Sequence, residues 1–240
     1  MGWIDIHEHV VYGVDDGASS FEDSQQMLLD AKAQRVSTVF ATSHASPGIE
    51  PFPLKKYFSH LARLQDWIEE NGLGITLLPG AEILYAPSAV DRVDSGEIPT
   101  MGDSNAVLVE FYPNAEYEYI CKAVRKFLNA GYLPVIAHVE RYACLRDKKC
   151  KRAEELAGYG ARLQMNAGTV IRNTGLFKDR FVHSLLYGGY IDFVASDAHG
   201  AKNGRPVCME KAFKVMTKQA DTALIKPLFR NKELIVEREE

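Results

Sequence analysis

Cysteine is scarce and unpatterned: Cys121, Cys144, Cys150 and Cys208 form no C-x-x-C pair. That excludes a zinc knuckle and a thioredoxin-like site. None of the four has an arginine six positions later, so the phosphate loop of cysteine-dependent phosphatases is missing too. Reduced thiols in a cytoplasmic protein are the expectation. No apolar run approaches the roughly 18 residues that a membrane helix needs. The opening Met1-Gly2-Trp3-Ile4-Asp5 has no basic stretch and no long apolar core, and Ile6 stands where myristoylation wants Ser or Thr, so neither a signal peptide nor a lipid anchor is predicted. Positive charge is not in excess: 28 Lys+Arg against 32 Asp+Glu give a net charge of -4, which disfavours nucleic acid as a partner. No G-x-G-x-x-G or G-x-x-x-x-G-K-[ST] follows a strand-like run, so nucleotide binding loses its main support. Low-complexity stretches and linkers are also absent.

What the 240 residues do contain is a repeating order. A short apolar run is followed by a polar cluster and then by an amphipathic segment. The apolar runs are 3–6, 38–41, 75–78, 106–109, 133–137, 162–165 and 191–195, spaced roughly every 30 residues, the length of a βα unit. Several are too continuously apolar for half-exposed hairpins and read as buried parallel strands. Helices are predicted over 21–34, 54–71, 117–130, 152–159, 179–187 and 221–230. Ser19-Ser20 offers a cap for the first, and glycine follows several of the others. Residues 1–240 are read as a single domain of α/β class, a closed or nearly closed parallel barrel. An open doubly wound sheet is the alternative.

The chemistry gathers at the strand ends. In chain order these carry Asp5-Ile6-His7-Glu8-His9, Thr42-Ser43-His44, Gly80-Ala81-Glu82, Val109-Glu110, His138-Val139-Glu140-Arg141 and Ser196-Asp197-Ala198-His199. Only the sixth strand, ending Gln164-Met165-Asn166, has neither His nor carboxylate there. The C-terminal ends of barrel strands converge on one face, where active sites of this architecture lie. Residues two apart share a side, so His7 and His9 point inward together with Asp5 behind them, and Glu8 points away. Five of the seven histidines fall in this set; His60 and His183 fall on helices and read as packing residues. So many imidazoles and carboxylates aimed at one point need a counter-charge. Divalent cations supply it, and a His/Asp/Glu set without thiolate suits zinc, manganese or iron(II). Asp15-Asp16-Gly17 reads either as a turn or as a further ligand, Asp16, over the metals. Arg141 and Arg205 suit a phosphate, which guanidinium grips bidentately. Tyr112, Tyr117 and Tyr119 are candidates for a pocket rim.

These motifs resemble those of the PHP (polymerase and histidinol phosphatase) superfamily, and within it most closely the manganese-dependent protein-tyrosine phosphatases of bacterial capsule and exopolysaccharide operons. The resemblance runs in order from residue 4 to about residue 206 and includes Val14-Asp15-Asp16-Gly17, Ile98-Pro99-Thr100 and Gly204-Arg205-Pro206. It implies a distorted (β/α)7 barrel with His7, His9, Asp16, His44, Glu82, Glu110, His138, Asp197 and His199 as metal ligands. It also implies two or three manganese ions, with iron or zinc as alternatives, and Arg141 and Arg205 on the phosphate. The substrate it implies is the phosphotyrosine tail of a bacterial tyrosine kinase that controls polysaccharide export. A small-molecule phosphatase, such as one acting on histidinol phosphate, is the runner-up. A metal-binding regulatory subunit with little catalysis is a third reading. Three departures bear on phosphate contacts and substrate preference: Ala45 replaces a polar residue, Glu8 replaces Ser, and the His199–Arg205 segment is about one residue longer.

Overall fold

The computed structural model describes residues 2–174, 178–200, 205–230 and 235. Seven strands form one sheet in chain order: β1 (Trp3–Glu8), β2 (Val36–Ala45), β3 (Thr76–Leu84), β4 (Ala106–Glu110), β5 (Leu133–Ile136), β6 (Arg162–Asn166) and β7 (Phe193–Ala195). Each neighbouring pair is parallel. Parallel neighbours require a crossover, and the amphipathic segments between the apolar runs supply it. The loop after β7 then returns to β1. Glu8 bridges Ala198, the Asp197 N–H donates to the His7 carbonyl, and the His9 N–H donates to the Ala198 carbonyl. The ring is thereby nearly closed, an α/β TIM-like (β/α)7 barrel as expected.

The helices are α1 (Phe21–Ala33), α2 (Leu54–Glu70), α3 (Ala89–Asp94), α4 (Tyr117–Asn129), α5 (Lys151–Gly158), α6 (Ala167–Arg172), α7 (Arg180–Tyr187), α8 (Met209–Met216) and α9 (Thr222–Ile225). Ser20 caps α1 by accepting the Asp23 N–H, and Asp179 caps α7 by accepting from Phe181 and Val182. Those side chains satisfy amide groups that a helix start leaves open. The expected closing helix over 221–230 is instead α9 followed by a 3-10 turn, Pro227–Phe229. Pro227 has no N–H to donate to the helix ladder, so the α-helix does not run on through it. The short α3 and α6 lack the length for a visible period, and α8 lies beyond Arg205. Among the described residues no helix is long and apolar enough to cross a membrane.

Alternation along the strands makes two apolar layers. Val39, Ala41, Val107, Val109, Ile136, Leu163 and Val194 pack outward under the helices. Ile4, Ile6, Phe40, Leu108, Val135, Phe193 and Ala195 fill the inside of the barrel. β1 departs from simple alternation. Asp5 pairs with Val39 but Glu8 with Ala41, so β1 carries one extra residue there. This bulge lets Ile6 stay in the apolar filling while His7 and His9 turn to the ring's upper end. The simple two-residue rule is therefore corrected for Asp5. Its Oδ1 accepts the N–H groups of Ser196 and His7 and pins the closing loop to β1.

Candidate metal centre

All nine expected ligands meet at the C-terminal ends of the strands. They form three overlapping sets whose ligating atoms lie within 4.8 Å of one another: His9, Asp16, His44 and His199; His7, His9, Glu82 and Asp197; and His44, Glu82 and Glu110. His138 joins through Nε2, which is 2.7 Å from Glu82 Oε1 and 3.6 Å from Glu110 Oε2. Glu82 lies at the centre, with Oε2 3.1 Å from His7 Nε2, 3.2 Å from His9 Nε2 and 3.2 Å from His44 Nδ1. A carboxylate has two oxygens and can bridge two cations, which fits its place in two of the sets. His7, His9, Glu82, His138, Asp197 and His199 are buried, whereas Asp16 is 63% exposed and stands at the rim.

The outer nitrogens of the histidines show how the rings are aimed. His9 Nδ1 is 2.8 Å from Asp15 Oδ2, and His199 Nδ1 donates to the Asp197 carbonyl at 3.0 Å. His7 Nδ1 is 3.3 Å from Gln164 Oε1, and His138 Nδ1 lies 3.4 Å from the Tyr142 hydroxyl. In all four rings Nδ1 is tied outward and Nε2 points to the cluster. That outer-partner pattern is how proteins fix the tautomer of a metal-binding imidazole. His44 differs, with Nδ1 toward Glu82 and Glu110 and Nε2 3.4 Å from Asp16.

The sequence reading missed the outer partners. Asp15 reads as a turn residue, and it is one, accepting the Gly17 N–H, but its other oxygen holds both His9 and the His44 N–H. A side chain at Gly17 would put Cβ 2.2 Å from the His9 carbonyl oxygen, so only glycine permits this turn. β6 carries the other partners. Gln164 Oε1 takes the His138 N–H, Gln164 Nε2 donates to Asn166 Oδ1, and Asn166 Nδ2 donates to Asp197 Oδ2. The signal was their spacing: Gln164 and Asn166 alternate at a strand end as the ligand candidates do.

Charge inside the cluster is arranged for cations. Burial opposes the charged form of His7, yet Glu82 and Asp197 outweigh it and raise it to about 9. His9 is likewise raised to about 9, by Asp15 and Glu82 against burial. Burial works against the charges of Glu82 and Asp197, but the surrounding cationic groups hold both well below the ordinary carboxylate range. Here protons occupy positions that a metal would compete for, since ligation requires the neutral imidazole. His199 is pushed down to about 4 by burial and by His9, and its buried Nε2 has no hydrogen-bond partner among the described residues. It is a lone pair aimed at the cluster, and the donor set fits a divalent ion. The backbone is strained at two of these residues: His138 has φ 32° and Asp197 φ 53°, in the left-handed region.

Both arginines reach the same carboxylate. Arg141 Nη2 is 2.5 Å from Asp197 Oδ2, and Arg205 Nη1 is 3.5 Å from it, with Arg205 Nη2 3.5 Å from Asp16. The Arg205 carbonyl accepts the His199 N–H, which ties the two ends of their connecting segment together. Gly204 and the rest of 201–204, where the longer segment falls, lie outside the described residues. Of the tyrosines, Tyr112 is exposed, Tyr119 donates to the Tyr85 carbonyl, and Tyr117 turns away to Glu155 on α5. His60 stacks on Tyr12 and His183 packs near Tyr187, both apart from the cluster. Ala45 is buried, so it presents no polar group to a substrate.

Comparison with known proteins places this geometry among relatives. The model of the family "Capsular polysaccharide synthesis, CpsB/CapC" matches residues 3–237. Tyrosine-protein phosphatase CpsB of Streptococcus pneumoniae is 32% identical over 231 residues, covering 94% of each chain. Tyrosine-protein phosphatase YwqE of Bacillus subtilis is 29% identical over 236 residues, covering 97% of this chain and 91% of its own. A chain from the crystal structures of YwqE and CpsB, described as unique metal-dependent tyrosine phosphatases, superposes with a TM-score of 0.81 at 28% identity over 93% of this chain and 90% of that one. The histidinol phosphate phosphatase of Lactococcus lactis shares the fold, with a TM-score of 0.59 at 18% identity over 94% of this chain and 93% of that one.

Proposed function

Because the chain belongs to the capsular polysaccharide synthesis family CpsB/CapC, we propose that it is a metal-dependent phosphomonoester hydrolase, a protein-tyrosine phosphatase. The substrate we infer is the phosphotyrosine tail of a bacterial tyrosine kinase that controls capsule or exopolysaccharide synthesis, met in the cytoplasm. The observation that carries this reading is the overlap of three donor sets, two of them sharing Glu82, beside two arginines. His7, His9, Asp16, His44, Glu82, Glu110, His138, Asp197 and His199 are assigned as the ligands of two or three ions, manganese first, with iron or zinc as alternatives. Such ions supply Lewis acidity, bringing the pKa of water from 15.7 toward about 7 and offsetting charge on phosphoryl oxygens.

The chain's own groups do the rest. Asp15, Gln164 and Asn166 hold the inner atoms of the cluster in place before substrate arrives. Arg141 and Arg205, both anchored on Asp197, turn their remaining N–H groups to the phosphoryl oxygens and stabilise the charge that builds there. No cysteine nucleophile stands among the cluster residues, so direct attack by water is the assigned route. A phenolate, with a pKa near 10, leaves far more readily than a serine alkoxide. Little proton donation is therefore needed. His44 and His199 are both assigned as ligands, and ligation would take the lone pair that a proton needs, so proton donation is left to solvent.

The test is hydrolysis of a phosphotyrosine peptide, a phosphoserine peptide and histidinol phosphate, with manganese and with chelator. Activity on phosphotyrosine alone, lost with chelator, is the expected result. Preference for histidinol phosphate would overturn the substrate assignment while leaving the site intact.

A further inference from the structure

A cavity of about 320 Å³ opens beside the metal centre. Its lining combines Arg141, Asp197 and Arg205 with Arg172 of α6 and Lys211 of α8, and Ile171 and Val207 add apolar wall. We propose that this cavity is a second anion subsite, where Arg172 and Lys211 hold a carboxylate or phosphate carried on the same peptide as the phosphotyrosine being hydrolysed. The inference rests on the phosphatase reading above and names a feature of its substrate.

Three observations support it. First, the charge balance of the lining is one-sided: four cations face the single carboxylate of Asp197. Asp197 is already engaged by Arg141 and Arg205. Second, Arg172 and Lys211 are exposed and have no carboxylate within 4.0 Å among the described residues. The nearest acidic neighbour in sequence, Glu210, is taken by Lys214 and Arg35. Arg172 has its Nη2 3.3 Å from Thr169 Oγ1, one turn back, which steadies the guanidinium without neutralising it. Third, both cations act on one side chain of the wall. Burial pushes the Cys208 thiol up to about 11, with Asp5 adding to the rise, while Arg172 and Lys211 each pull it down. Their charges therefore reach the same part of the cavity.

The geometry sets the reach. Taken as a sphere, a cavity of this volume is about 8 Å across, and an extended peptide advances roughly 3.3 Å per residue. The second anion should stand within about three residues of the phosphotyrosine. The apolar wall of Ile171 and Val207 then meets the uncharged parts of that segment. A flanking Asp or Glu and a second phosphotyrosine offer the same chemistry to the two cations.

The test is a binding measurement, so that it does not depend on turnover. Fluorescence anisotropy with the manganese-loaded protein compares three peptides that carry a non-hydrolysable phosphonate analogue of phosphotyrosine. Their flanks, within three residues, are neutral, glutamate-bearing, or bearing a second phosphonate. Wild-type protein should bind at least one anionic peptide about tenfold more tightly than the neutral one. Glutamate alone or the phosphonate alone giving the gain tells which source is used. Arg172→Ala with Lys211→Ala should bring the ratio close to 1, and Arg172→Ala with Lys211→Glu should reverse it. Hydrolysis of p-nitrophenyl phosphate by the same variants should match wild type; failure of the wild type in that assay would count against the phosphatase reading alone. Equal affinity for all three peptides, or a preference that survives in the double variant, overturns the subsite.

Discussion

Leu108 and Glu110 stand two residues apart on β4, and Ala195 and Asp197 two apart at the end of β7. In each pair the first belongs to the apolar filling of the barrel and the second to the candidate metal centre above it. The lower layer contributes stability by leaving water, about 1.5–3 kcal/mol for each large side chain. The upper layer is nearly as dry but is made of charges, whose burial is unfavourable unless each finds a partner. Rigidity supplied from below lets the upper layer hold ionisable groups at distances they would not choose alone. Stability and function are thus stacked along the same strands, one step of the alternation apart.

The separation can be broken most severely from above. Glu82→Gln should lower metal content, measured by elemental analysis, and reduce phosphatase activity by more than the roughly 10–100-fold that loss of an outer partner brings. Arg141→Ala should reduce kcat/KM about 100-fold with metal content kept, since it removes one donor to the developing charge. From below, Leu108→Ala should cost about 2–5 kcal/mol in denaturant unfolding while kcat changes little. Parallel losses of stability and kcat in that variant would mean the two layers are not separable. Between the layers, Asp15→Asn should weaken metal affinity about 10–100-fold by loosening His9 and His44, with folding intact.

The smallest effect concerns Glu8, which the bulge leaves facing outward. It is fully buried, its carboxyl oxygens have no hydrogen-bond partner among the described residues, and burial first, then Asp5 and Asp30, hold it well above its usual 4.5. The folded chain keeps a proton that the unfolded chain sheds above that pH, so stability falls as pH rises. Glu8→Gln removes this loss. The variant should match the parent near pH 4 and gain on it steadily toward pH 9 in thermal melts. Melting curves that stay parallel across that range would show Glu8 ionised in the fold.

Strands were legible because buried parallel strands leave continuous apolar runs, and all seven lie where those runs are. The ligand candidates were legible because histidine and carboxylate at strand ends are chemically unusual. Gln164 and Asn166 carry only the strand-end alternation, and Tyr142 not even that; amides and hydroxyls are ordinary in any sequence, and what they hold is set once β5 and β6 are side by side. The bulge in β1 was invisible for a related reason. It is defined by register against β2, not by any residue type in Trp3–Glu8. Arg172 and Lys211 are far apart in sequence, and only the folded chain brings them to one cavity.

Asp197 has a consequence for order of binding. Among the described residues it is the one carboxylate that touches both arginines while facing His7 and His9. As long as its charge is uncompensated, it draws the guanidinium groups and competes with an incoming phosphate for them. A cation on its other side would weaken that competition, so metal loading should tighten phosphate, and phosphate must tighten the metal by the same factor. Metal and phosphate would in this way be thermodynamically coupled through a single side chain.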